Sequence, residues 1–124
     1  MSYLVVEREG VIKRLQTSSL NVRTELKQLA TGSYSGADLA IRIERLKRQA
    51  DEVFRLEENV MGEYRYSPLH HIAEHRDFMN LLAYLVKNPS KAVLSDVYTK
   101  MDDHALYHDD CFVNHLHRLR LKQA

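Results

Sequence analysis

Residues that interrupt or staple a fold are scarce in this chain. In 124 residues there are two prolines, four glycines, one cysteine and no tryptophan. A lone cysteine, Cys111, excludes an internal disulfide, and it reads as a small buried hydrophobe. Few prolines and glycines leave long stretches free to run as uninterrupted helix. No run of about 18 apolar residues exists, so no membrane span is expected. Neither sign of charge dominates: Lys plus Arg is 18 and Asp plus Glu is 17. That balance removes the electrostatic case for a nucleic-acid binder. The basic ending "HLHRLRLKQA" reads as the positively charged end of a helix, where cations are favourable. The opening "MSYLVVEREG" carries acidic residues and lacks an apolar core of signal length, so a cytoplasmic location is expected. No nucleophile-and-base arrangement and no glycine-rich phosphate loop occur, which argues against an enzyme.

What is present is a soluble globular composition, 44% hydrophobic and 28% charged, in a length that suits one domain over residues 1–124. Three breaks divide it. "TGSYSG" (31–36) reads as a loop. Ser67-Pro68 pairs an N-cap with a proline at the first helical position. "NPS" (88–90) stops one helix and caps the next. The four segments between these breaks each carry an apolar seam at steps of three and four. The first has Ile12, Leu15, Ser19, Val22, Leu26 and Leu29. The second, from about Ala37 to Tyr64, has Leu39, Ile43, Leu46, Ala50, Val53, Glu57, Val60 and Tyr64. The third, from Pro68 to Lys87, has His71, His75, Phe78, Leu82 and Leu85. The fourth, from about Lys91 to Leu119, has Leu94, Val97, Met101, His104, His108, Cys111 and His115. No strand-like alternation competes, and the pattern predicts an all-α, antiparallel up-down-up-down four-helix bundle. "RIERLKRQADE" reads as a solvated helix face with acid–base pairs at helical spacing.

Polar residues break these seams in one zone. Glu57, His71, His75, His104 and His108 stand where apolar side chains belong. A carboxylate buried alone costs several kcal/mol, so it must neutralise or find partners. In antiparallel helices these positions fall at similar depth and can face one another. His71 and His75, four apart in "HIAEH", share a helix face and can reach one metal. Alone, that spacing is more often a polar stripe. Glu57 on a second helix and His104 on a third raise the case for a metal site. Imidazole and carboxylate ligands together suit iron, zinc or manganese.

The segment "FRLEENVMGEYRYSPLHHIAEHRDF" resembles the central block of the hemerythrin family. Phe54, Glu57, Glu58, Met61, Tyr66, Pro68, His71, His75 and Phe78 fall on its pattern. His104 and Asp109 match the His-x-x-x-x-Asp spacing of the family's last helix. The resemblance spans about Asp51 to Leu116. It implies a four-helix bundle with a carboxylate-bridged di-iron centre that binds oxygen or serves in sensing or storage. It also implies the ligand set Glu57, His71, His75, His104 and Asp109. Two family ligands are missing. Val53 stands where the second helix should carry a histidine, and the first helix has none, its ligand position mapping near Gln16 with Ser19 beside it. In the family those two histidines serve one iron and the three kept here serve the other. A reduced, mononuclear site is therefore expected. In a regular helix a step of five turns a side chain well away, so Asp109 needs a locally unwound helix. A regular helix would instead offer His108.

Three readings follow. One is a hemerythrin-like protein holding iron, one ion or two, and meeting oxygen or a related small ligand. Another is a metal-free regulatory or adaptor bundle acting through a protein partner. A mononuclear metalloenzyme ranks last. The bland reading of the histidines is a hydrogen-bonded core network, and His115 and His117 read as surface residues.

Overall fold

The computed structural model describes residues 3–63, 69–105, 111, 112, 114, 115 and 118, with side chains from residue 10 and, in the third helix, from residue 71. Four helices follow in order: α1 (Tyr3–Thr31), α2 (Gly36–Glu63), α3 (Leu69–Lys87) and α4 (Lys91–His104). The described residues beyond 105 are helical as well. α1 packs on α2 and α4, and α3 packs on α2 and α4, so successive helices are neighbours and the last returns to the first. This is an antiparallel up-down-up-down four-helix bundle.

The helix ends follow from local chemistry. Ser35 precedes α2, and its hydroxyl accepts from the Asp38 N–H at 3.2 Å. Ser90 caps α4 from an extended conformation, accepting from the Val93 N–H at 3.3 Å. Both satisfy amide donors that a helix N-terminus leaves open. At the end of α1 the chain is tightly folded. A Cβ added to Gly32 would lie 2.6 Å from the Tyr34 ring and 2.9 Å from the Gln28 carbonyl, so only glycine fits. Gly10 lies inside α1 rather than ahead of it. The Ser67-Pro68 cap, Tyr64 and Tyr66 lie outside the described residues.

The seams pack inward as their spacing requires. Val22, Leu26 and Leu29 meet Leu39, Ile43 and Leu46, then Phe78, Leu82 and Leu85, then Leu94 and Val97, in one large apolar cluster. A second, smaller cluster joins Ile12, Leu15, Val60, Met61 and Phe112. Between the two clusters, Ser19 on α1, Glu57 on α2 and His104 on α4 are buried and polar. Ser19, Glu57, His71, His75 and His104 are the buried polar residues among those described. The bundle is thus two apolar blocks with a polar layer between them. Outside, Glu44 lies 3.7 Å from Arg48, and Asp51 lies 2.9 Å from Arg55, four residues on along α2. Such exposed pairs add a few tenths of a kcal/mol each, about what is typical at helical spacing.

Two seam assignments need correction. In α2, Phe54 is buried and Val53 only half-buried; the buried face is wider than a single row. Beyond α4, Cys111 is exposed and Phe112 takes the interior position. Ala105, just after α4, is wound as a π turn, a form of helix that takes in an extra residue.

No described helix is long and apolar enough to cross a membrane.

Candidate metal centre

Three helices supply the polar layer with one convergent group. Glu57 comes from α2, His71 and His75 from successive turns of α3, and His104 from the last residue of α4. All four side chains are buried, His71 completely. One ligand atom from each lies within 4.8 Å of the others. Asp109 and its alternative, His108, lie outside the described residues.

The orientation of the rings matters more than their nearness. His75 presents Nδ1 to the Glu58 carboxylate at 3.1 Å. His104 presents Nδ1 to the Glu74 carboxylate at 2.6 Å. An ionised carboxylate only accepts, so a proton on Nδ1 is what would satisfy each of these contacts. In a neutral ring Nε2 then carries the lone pair. Those two Nε2 atoms lie 3.1 Å apart. Two lone pairs cannot face each other so closely without a positive centre, either a shared proton or a metal cation.

Glu57 sharpens this. Its Oε1 lies against His71 Nε2 and 3.2 Å from His75 Nε2. Neither contact gives Oε1 a bond of hydrogen-bonding geometry. A buried carboxylate oxygen among imidazole nitrogens, not oriented as a hydrogen-bond acceptor, fits a shared cation. The donor chemistry fits as well: three imidazoles and a carboxylate are a transition-metal set. Nitrogens 3.1 Å apart can both reach one cation at bond lengths of about 2.0–2.1 Å.

Aromatic rings close the layer on the side of the large cluster. Phe54 stacks on His75 with centroids 4.1 Å apart, and Phe78 meets His104 edge-on at 5.5 Å. His71 sits edge-on to both other imidazoles, at 4.7 Å each. Rotamers packed this way hold ligands in place before any ion arrives.

Elsewhere the expected positions diverge. Gln16, mapped to the missing first-helix ligand, is exposed, while Ser19 is buried. Val53 packs half-buried against the large cluster. His115 is half-buried rather than on the surface. Glu58 and Glu74 were not singled out as site residues, although both stand beside such residues in "LEEN" and "HIAEH". Glu58 also falls on the family pattern that the segment resembles, whereas adjacency in sequence is the only signal for Glu74; each serves a histidine on the next helix.

No protein-family model, no curated protein and no solved structure matches this chain.

Proposed function

We propose that this chain is a hemerythrin-like metal-binding protein with a reduced site. Glu57, His71, His75 and His104, joined by Asp109, hold a single iron ion. When bound, iron supplies an open coordination position for oxygen or a related small ligand. The protein acts as a carrier or sensor rather than as an enzyme. Zinc or manganese would suit the same donors.

The observation that carries this reading is the convergence of donor atoms from Glu57, His71, His75 and His104 inside the bundle. The resemblance of Phe54 to Phe78 to the hemerythrin central block supports iron. The absence of a histidine at Val53, and in the whole of α1, supports one ion rather than two. The π turn at Ala105 supports Asp109, because a step of five from His104 needs that loosened winding.

A second reading has its own observation. The row Glu58–His75–His104–Glu74 is continuous through side-chain contacts. With a shared proton at its middle it forms a metal-free core network, as an adaptor bundle would have. Anaerobic reconstitution with ferrous iron, followed by desalting and elemental analysis, separates the two. One equivalent of retained iron, with an absorption spectrum that changes on exposure to oxygen, is expected. Retention far below stoichiometric, with a melting temperature indifferent to iron and chelator, would hand the protein to the second reading.

A further inference from the structure

The three carboxylates of the polar layer are not equivalent. Glu57 points its oxygen at the imidazole Nε2 atoms, whereas Glu58 and Glu74 engage the far side of two rings. Both outer carboxylates are partly exposed, with side-chain exposures of 36% and 42%, while the rings they touch are buried. Each reaches across to the next helix: Glu58 of α2 to His75 of α3, and Glu74 of α3 to His104 of α4. Each also borders a surface cleft, one of about 200 Å³ beside Glu58 and His75, the other of about 370 Å³ beside Glu74 and His104.

We propose that Glu58 and Glu74 are positioning residues of this metal site, each accepting the Nδ1–H of a ligand imidazole and so aiming the Nε2 lone pairs of His75 and His104 at one cation. The inference rests on the metal-binding reading above and assigns it two residues that bind no metal themselves. Without an acceptor at Nδ1, an imidazole is free to carry its proton on Nε2, the tautomer that cannot ligate through Nε2. A carboxylate there also makes the ring a stronger donor and holds its plane. The two contacts differ in length, 2.6 Å for Glu74 and 3.1 Å for Glu58, so Glu74 holds its ring more tightly. Together with Glu57 they place three carboxylates around three imidazoles.

The test compares wild type with Glu58→Ala, Glu58→Gln, Glu74→Ala and Glu74→Gln, all checked for helicity by circular dichroism. Affinity for cobalt(II) and iron(II) is measured by chelator competition. Each alanine variant is expected to lose about 10–100-fold in affinity, the usual cost of removing such a partner, with Glu74→Ala the larger loss. Each glutamine variant keeps an acceptor and recovers part of the loss. Long-range proton–nitrogen spectra of the zinc-loaded wild type are expected to show His75 and His104 with the proton on Nδ1. Loss of that signature for His104 alone is expected in Glu74→Ala. Alanine variants that bind as tightly as wild type, or a zinc-loaded wild type with the proton on Nε2 of either ring, would overturn the assignment and leave the metal site standing. A wild type that takes up none of the three metals would overturn both. Should an alanine variant fail to fold, its glutamine counterpart and the wild-type spectrum still decide.

Discussion

The large apolar cluster and the polar layer beside it are built from the same four helices, yet they obey different rules. In the cluster, Leu26, Ile43, Leu82 and Leu94 lose all contact with water and ask only for volume. Many apolar sets of similar size would fill that space. In the layer, each side chain needs a named partner at a defined angle, because burial removes water without replacing its hydrogen bonds. Dry packing drives the chain into a bundle. The polar layer sets what the bundle can hold, and it does so at a cost in stability.

That contrast can be broken from either side. The largest effect is expected at the layer in the presence of metal. His104→Ala should abolish tight iron binding and with it the metal-dependent stabilisation, about 4 kcal/mol when free metal is a thousandfold above the dissociation constant. Chemical denaturation with and without iron measures it, and an undiminished iron-dependent increment would refute the assignment. In the dry cluster, Leu82→Ala should cost about 3 kcal/mol through the cavity it leaves. There the loss should appear equally in the apo and loaded forms, so unequal losses would show that the two regions are coupled.

A middle-sized effect of opposite sign comes from drying the layer. Replacing Glu57, His71, His75 and His104 together by leucine should raise apo stability by roughly 1–4 kcal/mol, as apolar replacement of buried ionic groups often does. It should also remove metal binding altogether. A destabilised quadruple variant would mean that the polar network sustains the fold rather than taxing it. The smallest effect lies outside both regions. Gly62 stands in α2 with open space where a Cβ would go. Gly62→Ala should add about 0.4–1 kcal/mol by restricting the unfolded chain. Iron affinity should not move. A shift in melting temperature accompanied by a change in affinity would place Gly62 nearer the site's mechanics than its surroundings indicate.

The repeating steps of three and four were enough to place the interior faces of α1 and α3 and of α4 up to His104. Ile12 to Leu29, His71 to Leu85 and Leu94 to His104 are buried as their spacing implies. The convergence of Glu57, His71, His75 and His104 could be anticipated too, since a polar residue on an apolar seam has nowhere else to go. The outer carboxylates could not. Glu58 lies 17 residues from His75, and Glu74 lies 30 from His104. Whether such pairs meet depends on how far one helix slides along the next and which rotamer each side chain adopts. Neither quantity leaves a period in the sequence.

From the amino acids alone came the number of helices, the capped start at Ser90, most of their inward faces and the presence of ligating side chains there. These are properties of one helix at a time, set by a regular turn and local hydrogen bonding. Tertiary structure decided that Phe112 rather than Cys111 faces inward, that Gln16 faces water, and that Nδ1 of His75 and of His104 each meets a carboxylate from a neighbouring helix. Those outcomes depend on several helices at once. Which of two adjacent residues faces inward is settled only where neighbouring helices cover it, and an imidazole is held in one tautomer only when a neighbouring helix offers an acceptor.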